Sequence, residues 1–379
     1  MKILLHDNQL HLRFAPLTLT RPVGNLRMGI LTNDERWKLL VPEATVYFGT
    51  EPYLTTKFPT AENVDLIVNA AVIPTQELVA KALSLNPGEA LFLGSTWLVK
   101  KGADTEKQIS VEMELIVLEN RWDLFQLNGS VLKADFDLLT FGRKSKTLST
   151  SNTVIGDPSL IFLEEGASVE ACILNTKEGP IYVGKNAEIM EGSVVRGPLA
   201  LCESAGLKLA TKVYGPTTLG PHCKVGGEVN NVIFQAYSNK GHDGFLGNSV
   251  VGEWCNLGAD TNSSNLKNNY SNVSAYSYET QKIEKTGVQF MGLIMGDHSK
   301  CGINTMFNTA TVVGVSANIY GADFPDKMIE SFVWGGASGF VPFKLDKAIE
   351  VAQAMMARRK VEFTAGDLAI FEQLAHKSE

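Results

Sequence analysis

A repeat of six residues runs through the middle of the chain and restricts the folds that this segment can adopt. Glycine often follows the repeated position directly, as in Val183-Gly184, Leu219-Gly220 and Val225-Gly226. Aliphatic residues occupy the repeated position in eight successive repeats: Val183, Ile189, Val195, Leu201, Leu207, Val213, Leu219 and Val225. An α-helix has 3.6 residues per turn and an ordinary strand alternates every two residues, so neither produces this period.

A coil of three short strands explains the repeat. Each strand contributes one large aliphatic side chain to a narrow interior, and stacked coils pair their strands in parallel around a continuous core. Small residues and glycine suit the tight corners between strands. The register returns in segments 251–258, 295–296 and 307–314, so we expect the coil to occupy residues 146–323.

The six-residue repeat is interrupted between Ser263 and about Leu293. The interrupting segment begins SSNLKNNYSNVSAYSYETQKIEKTG, which is polar, rich in asparagine and too long for a turn. We expect it to protrude as a loop, and loops that protrude from rigid repeats often carry function.

Two motifs before this break resemble those of a known enzyme family. The first is Lys240-Gly241-His242, followed by Phe245-Leu246-Gly247. The second is Asn256-Leu257-Gly258-Ala259-Asp260-Thr261, followed by Asn265. On these residues the chain resembles the bacterial bifunctional N-acetylglucosamine-1-phosphate uridylyltransferase/glucosamine-1-phosphate acetyltransferases. It is closer still to a Bacteroidetes-type subgroup that opens with Pro-Leu-Thr-x-Thr-Arg-Pro, as residues 16–22 do.

The resemblance implies both a fold and a function. The fold is a reduced nucleotidyltransferase-like α/β domain (1–145), a left-handed parallel β-helix (146–323) and a C-terminal helical extension (324–379) that forms a cap. The function is acetyl transfer from acetyl-CoA to the amine of a sugar 1-phosphate, such as glucosamine 1-phosphate, in nucleotide-sugar synthesis. Two alternatives stay open: a sugar-1-phosphate uridylyl- or thymidylyltransferase that uses the β-helix as a trimer scaffold, and a non-catalytic structural trimer.

The transfer needs a base, because an ammonium group cannot attack a thioester before it loses a proton. Histidine suits this task because its usual pKa lies near neutrality. His242 falls at the position of the family's catalytic histidine, so the resemblance implies that it is the general base. His298 and His222 are competing imidazoles at corners of the repeat, and we expect His298 to be exposed to solvent.

The resemblance also implies contacts to the substrate. Asn256 and Asn265 fall on family asparagines that contact it, and an amide can stabilise the tetrahedral oxyanion. Phe245 replaces a family tyrosine, so a hydroxyl contact to the sugar is missing.

The acceptor phosphate should meet fixed cations. Lys212 falls on a family arginine, and Glu228 on a glutamate of the motif. Asn230 stands where a phosphate-binding lysine is expected. One cation is therefore absent from its usual place, which leaves the identity of the acceptor sugar open.

Residues 1–145 alternate between short strand and helix patterns. The strand candidates are 2–5, 45–49, 64–69 and 90–93, and the helix candidates are 75–85 and 131–140. Such alternation predicts an α/β layered domain.

A working nucleotidyltransferase domain of the family opens with a glycine-rich loop whose N–H groups cradle a triphosphate. This chain has only Thr18-Leu19-Thr20-Arg21-Pro22, with Arg27 near the position of a family lysine. The family's Mg²⁺-binding aspartate is also missing, because residues 69–74 read NAAVIP. We therefore expect loss of ordinary activity, and Mg²⁺ only if the domain is active. Arg21 and Arg27 either bind nucleotide phosphates or form structural ion pairs, and no other metal site is predicted.

Beyond residue 323, segments 345–359 and 367–376 predict helices that cap the open end of the solenoid. Related β-helices form trimers with active sites between subunits, so we expect a homotrimer.

The charge and composition of the chain restrict the classes of partner that we expect. A net charge of −7 argues against nucleic acid. No apolar run is long enough to span a bilayer, and the start does not resemble a signal peptide, so we expect a cytoplasmic protein without a membrane partner. The cysteines form no C-x-x-C pair, which indicates reduced thiols. The expected partners are a small sugar phosphate and CoA.

Overall fold

A computed structural model describes residues 1–376 of the chain. Its amino-terminal region is a mixed sheet with strand order β2-β1-β3-β5-β4-β6, flanked by helices. The strands are β1 (Lys2–His6), β2 (Thr45–Gly49), β3 (Leu66–Asn69), β4 (Glu89–Leu93), β5 (Thr96–Lys100) and β6 (Lys107–Ser110). The helices are α1 (His11–Phe14), α2 (Asn33–Leu40), α3 (Gln76–Leu83), α4 (Asp123–Gln126) and α5 (Asn128–Thr140), with short 3₁₀ turns at Leu17–Thr20, Val23–Asn25 and Pro52–Leu54.

Strands β1, β2 and β3 are parallel, and β5 joins them in the antiparallel sense. Helix α2 begins with a capping box in which Thr32 accepts a hydrogen bond from the Glu35 backbone N–H. The predicted α/β layering is confirmed.

A parallel β-helix follows, and its strands form three faces. Face 1 contains β7 (Thr153–Ile155), β10 (Ile173–Asn175), β13 (Val194–Arg196), β16 (Lys212–Tyr214), the first halves of β19 (Glu228–Phe234) and β21 (Phe245–Val251), and the pair β23 (Asn262–Ser263) and β28 (Met306–Phe307). Face 2 contains β8 (Ile161–Leu163), β11 (Ile181–Val183), β14 (Leu199–Leu201), β17 (Thr217–Leu219), the second halves of β19 and β21, β26 (Ile294–Met295), β29 (Val312–Val313) and β31 (Met328–Ile329). Face 3 contains β9 (Ser168–Val169), β12 (Glu188–Ile189), β15 (Gly206–Leu207), β18 (Lys224–Val225), β20 (Asn239–Lys240), β22 (Asn256–Leu257), β27 (Lys300–Cys301), β30 (Asn318–Ile319) and β32 (Val333–Gly336). A 3₁₀ turn, Pro158–Leu160, precedes β8.

The aliphatic side chains at the repeated position of the six-residue repeat fill the interior of this coil. Val183, Val195, Leu207 and Leu219 are fully buried in one continuous core. The predicted left-handed β-helix is confirmed.

The segment that interrupts the repeat does not protrude freely, in contrast to our expectation. It forms a hairpin of β24 (Ser274–Ser277) and β25 (Lys282–Lys285). Val273 and Ala275 are buried in the core that the amino-terminal region builds. The Arg121 guanidinium also donates a hydrogen bond to the carbonyl of Tyr276. Apolar side chains within this polar segment therefore attach it to the amino-terminal region.

The parallel ladders continue beyond residue 323, because β31 pairs with β29 and β32 pairs with β30. Phe324-Pro325 lies in a shortened coil that the ladders span. The division of the chain at residues 145 and 323 stays a prediction about domains. A hairpin of β32 and β33 (Gly339–Pro342) ends the solenoid.

Helices α6 (Leu345–Ala357) and α7 (Ala365–His376) then fold back along the edge between faces 2 and 3. The Phe371 ring packs edge-on against His298 and Phe332, with centroid distances of 5.1 and 5.4 Å. Asp367 accepts a hydrogen bond from Lys57 Nζ at 2.7 Å, which joins α7 to the amino-terminal region.

The amino-terminal region packs on face 2. Outward side chains of this face, Ile233, Val250, Ile294 and Val312, belong to the same buried cluster as residues of β1 and β3. The two regions therefore share one hydrophobic core. No helix within residues 1–376 has both the length and the apolar character needed to cross a membrane.

Candidate active site

His242 lies at the corner between faces 3 and 1, on the turn from β20 to β21. His242 is exposed and lines two open grooves with volumes of about 520 and 560 Å³. The first groove also contains Asp243 and Asp260, and the second contains Asn256. An imidazole here can reach ligands on both sides of the corner.

The groove on face 3 is rich in cations. Its lining includes Lys208 and Lys224 from the solenoid and Arg358 and Arg359 from the end of α6. Within residues 1–376, none of these four forms an ion pair with a carboxylate. Burial lowers the pKa of Lys224; Glu188 acts in the opposite direction, and the positive charges of Lys208 and Arg359 lower the pKa further. The groove therefore suits an anionic ligand.

Face 1 carries the predicted acceptor contacts on successive rungs of one outward column. Lys212 pairs in register with Glu228, and Glu228 with Phe245. Lys212 Nζ lies 3.3 Å from Glu228 Oε2, an exposed pair that solvent screens strongly. Asn230 stands in the neighbouring column, in register with Gly247.

The side chains of Asn265 and Phe245 converge above Gly247. A Cβ at Gly247 would lie 2.6 Å from Asn265 Nδ2 and 2.7 Å from Phe245 Cζ. Asn265 Nδ2 donates to Asn248 Oδ1 at 2.7 Å, which fixes its amide. Glycine at 247 thus allows the predicted contacts of face 1 to come together.

The predicted residues fall into two groups with His242 between them. Face 1 holds Lys212, Glu228, Asn230, Phe245 and Asn265, and face 3 holds Asn256. The sequence did not reveal the cations of the face 3 groove, since two of them reach it only when the C-terminal helices fold back.

Arg21 connects the amino-terminal region to the solenoid. Arg21 is 3% exposed, and its guanidinium donates hydrogen bonds to Glu253 Oε1 at 2.7 Å and to Asp297 Oδ2. Burial opposes its charge, but Asp297 and Glu253 outweigh this effect and raise the pKa of Arg21.

Arg27 is held within the amino-terminal region by Glu35, whose carboxylate accepts two hydrogen bonds at 3.0 and 3.1 Å. Its backbone exchanges two hydrogen bonds with the Gln235 amide of the solenoid. In this structure carboxylates bind both guanidinium groups, and both arginine side chains are buried. Their contacts are those of structural ion pairs.

The carboxyl ends of parallel strands, where open α/β sheets bind ligands, are here filled by side chains. Asp7 follows β1 and accepts hydrogen bonds from the Val23 N–H at 2.9 Å and from Thr50 Oγ1 at 2.6 Å. Burial raises the pKa of Asp7 to about 7. Residues 70–73 beside it are buried. Within residues 1–376 no group of three His, Cys, Asp or Glu side chains is placed to hold a metal ion.

Replacing Asp7 by asparagine should stabilise the protein at pH 8 and have little effect at low pH. Because the folded pKa of about 7 exceeds the usual 3.8, ionisation removes stability as pH rises between these values. The gain at pH 8 is at most about 4 kcal/mol. Unfolding midpoints of Asp7→Asn and of the exposed control Asp137→Asn, measured from pH 5 to 8, test this. A gain that is independent of pH would contradict it. His11 Nδ1, at 4.0 Å, and Glu51 are the neighbouring titratable groups.

The competing histidines lie away from this corner, in an aromatic stack between faces 2 and 3. His222 stacks on Tyr237, with ring centroids 4.9 Å apart, and His298 stacks on Trp254 at 6.3 Å. His298 is buried, in contrast to the expected exposure, because Phe371 of α7 covers it. Burial lowers the pKa of His298 well below its usual value, so its imidazole is neutral.

Comparisons with known proteins agree with this two-part architecture. Residues 3–144 match a family model described as sugar nucleotidyl transferase. The match covers the amino-terminal region, which is less than half of the chain. The β-helix follows the matched residues, which is the order that the motifs implied.

Two curated relatives are similar over part of the chain. The uncharacterized acetyltransferase YaiX of Escherichia coli strain 536 is 24% identical over 149 residues, which is 39% of this chain and 64% of YaiX. The bifunctional protein GlmU of Methanocaldococcus jannaschii is 32% identical over 104 residues, which is 27% of this chain and 25% of GlmU. The chain thus spans less than two thirds of each relative.

Among solved structures, the polySia specific acetyltransferase NeuO covers 56% of this chain and 99% of its own, with 12% identity and a TM-score of 0.32. A likeness at this level supports no conclusion. The family match and the curated relatives confirm the resemblance to enzymes that join a nucleotidyltransferase domain to an acetyltransferase.

Proposed function

We propose that the chain transfers an acetyl group from acetyl-CoA to the amine of a small sugar 1-phosphate. The observation that carries the proposal is the position of His242. It is exposed at a corner, with a cationic groove on face 3 and the predicted acceptor residues on face 1. A thioester from one side and an amine from the other can meet at such an imidazole.

In this reaction His242 takes a proton from the acceptor ammonium, and the freed amine attacks the thioester carbon. The tetrahedral oxyanion then collapses, so that the C–N bond stays and the C–S bond breaks. The protonated imidazole returns its proton to the departing CoA thiolate, and the amide nitrogen loses its remaining extra proton to water. The Asn256 amide lines the same groove as His242 and, in this proposal, donates a hydrogen bond to the oxyanion.

The cations of the face 3 groove would bind the phosphates of CoA. Arg359→Gln should therefore raise KM for acetyl-CoA about 10-fold or more, because a charge-assisted hydrogen bond contributes roughly 1.5–3 kcal/mol. Steady-state kinetics at constant ionic strength measure this. Lys347→Gln is the control, since Lys347 lies in α6, the helix that leads to Arg359, and its Nζ pairs with Glu350 at 2.7 Å. An equal change in both variants would contradict a direct contact.

We also propose a homotrimer in which a neighbouring subunit covers face 1. Apolar residues Ile173 and Val194 are about 40% exposed in the outward column that contains Lys212 and Phe245, and Met306 of β28 is 36% exposed on the same face. Covering them removes apolar area from water and encloses the acceptor contacts. Sedimentation of the purified chain tests the oligomeric state.

Release of free CoA from acetyl-CoA tests the proposed activity. The full-length protein is mixed with glucosamine 1-phosphate and other amino-sugar phosphates, and the thiol is titrated over time. Sugar phosphates with a hydroxyl in place of the amine are the matched controls. Release that requires the amine supports the proposal. No release above the control with any acceptor would refute it.

The family match of residues 3–144 favours a second candidate, nucleotidyl transfer to a sugar 1-phosphate. The ion pairs that hold Arg21 and Arg27 and the missing carboxylate at 70–73 oppose it. Pyrophosphate release from UTP or dTTP with Mg²⁺ and a sugar 1-phosphate distinguishes the two. Absence of turnover with either nucleotide would exclude this candidate for these substrates.

A further inference from the structure

One interior position of face 3 holds a lysine where the neighbouring coils hold apolar residues. Lys240 pairs in register with Val225 and is fully buried. The other members of this inward column are Val169, Ile189, Leu207, Val225, Leu257, Cys301 and Ile319. A buried ammonium group is costly unless each of its donors finds a partner.

The ammonium of Lys240 bonds the backbone of two successive corners. Its Nζ donates to the carbonyls of Gly226 at 3.1 Å, His242 at 3.0 Å and Asp243 at 3.1 Å. An ammonium group has three N–H donors, so its hydrogen-bonding capacity is used entirely on backbone. Two of the three acceptors belong to the corner that carries the proposed base.

The corner of His242, residues 241–244, lacks a bond that other four-residue corners between faces 3 and 1 possess. In those corners the hydroxyl of the fourth residue donates to the carbonyl of the first. The pairs are Ser193 with Met190, Thr211 with Lys208, Thr261 with Gly258, and Thr305 with Gly302. The fourth residue here is Gly244, which has no hydroxyl and has a φ of +109°. This corner therefore needs another group to hold its carbonyls.

We infer that Lys240 is a positioning residue: in a corner without the hydroxyl bond, its ammonium holds the carbonyls of His242 and Asp243 and so fixes the corner that presents His242. The inference rests on the proposed function for its catalytic consequence, but the fixing of the corner stands on the contacts alone. The catalytic imidazole is thereby held by a group inside the solenoid, one that substrate does not touch.

The electrostatics of Lys240 agree with a role other than stability. Burial lowers the pKa of Lys240 to about 8, although Asp243, Asp260 and Cys301 act in the opposite direction. Because its folded pKa lies below the usual 10.5, the charged lysine disfavours folding below pH 8, and this effect fades as pH rises. An apolar residue here should leave the stability at pH 7 unchanged or raised.

The test compares Lys240→Met with Lys300→Met in the full-length protein. Lys300 is a matched control, because burial also lowers its pKa to about 8 and its Nζ donates to the His298 carbonyl at 2.7 Å. In Lys240→Met we expect faster hydrogen exchange of a peptide that covers residues 241–247 and no fall in the unfolding midpoint. We expect kcat for acetyl transfer to fall about 100-fold, the effect of misplacing a catalytic group by about 1 Å, with KM for acetyl-CoA unchanged. Lys300→Met should change neither the exchange nor kcat.

Unchanged exchange at 241–247 would overturn the inference, and so would a lower unfolding midpoint with unchanged kcat. If the wild-type protein lacks transferase activity, the proposed function fails, while the exchange experiment still decides whether Lys240 fixes the corner. Lys240→Leu is the second variant, since leucine occupies positions 207 and 257 of the same column. We expect the same exchange, stability and kcat results for Lys240→Leu as for Lys240→Met. The inference can therefore still be tested if the methionine variant does not fold.

Discussion

Replacing His242 by alanine is expected to reduce kcat for acetyl transfer by about 10²–10⁴, the usual contribution of a general base. The loss arises because no group at the corner then takes the proton from the acceptor ammonium. KM for acetyl-CoA should change little, since the cations that would bind its phosphates lie elsewhere in the face 3 groove. The unfolding midpoint should remain that of the wild type, because the side chain is exposed.

His222→Ala is the matched control for this prediction. His222 is also at a corner of the solenoid, but its ring stacks on Tyr237 rather than facing the groove. We expect it to retain kcat while losing some stability. A normal rate in His242→Ala, or an equal loss in both variants, would remove His242 from the mechanism.

Arg21→Met should lower the free energy of unfolding by about 3–5 kcal/mol, the usual effect of breaking a buried ion pair from one side. The reason is that Asp297 and Glu253 keep their carboxylates but lose the cation that compensates them. Asp297 also accepts a hydrogen bond from Thr20 Oγ1 at 2.7 Å, so it cannot easily turn toward water. Urea unfolding followed by circular dichroism measures the change.

Two comparisons make this prediction specific. Arg196→Met removes an exposed pair with Glu178, at 3.0 Å, and should cost no more than about 1 kcal/mol. The double variant Arg21→Met/Asp297→Asn should recover part of the stability, because an amide needs no counter-charge. A loss in Arg21→Met as small as in Arg196→Met would show that the buried pair stabilises the protein no more than a surface pair.

The solenoid was predictable because its interior accepts one side chain per strand, which imposes the period directly on the sequence. The period failed after Val225, where the six-residue steps fall on Asn231 and Tyr237. The corner there has only Gly226 and Gly227 between β18 and β19, so the interior register shifts. As a result the sequence did not show that Lys240 points inward.

Features that depend on distant segments could not be predicted from local patterns. Arg358 and Arg359 reach the groove of Lys224 only because α6 and α7 fold back along the solenoid. The same folding brings Phe371 over His298 and buries it. Arg21 could be assigned as a phosphate ligand or an ion-pair partner, and only the placement of Glu253 and Asp297 distinguishes the two roles.

The core shared across face 2 makes the two halves of the chain thermodynamically inseparable. A solenoid fragment that lacks the amino-terminal region would expose Ile233, Val250, Ile294 and Val312 to water. We expect such a fragment to associate or unfold. Heating should accordingly melt the whole chain in a single cooperative step. Substitutions in the sheet of the first half should then alter the stability of the solenoid that carries His242, although they lie outside the candidate site.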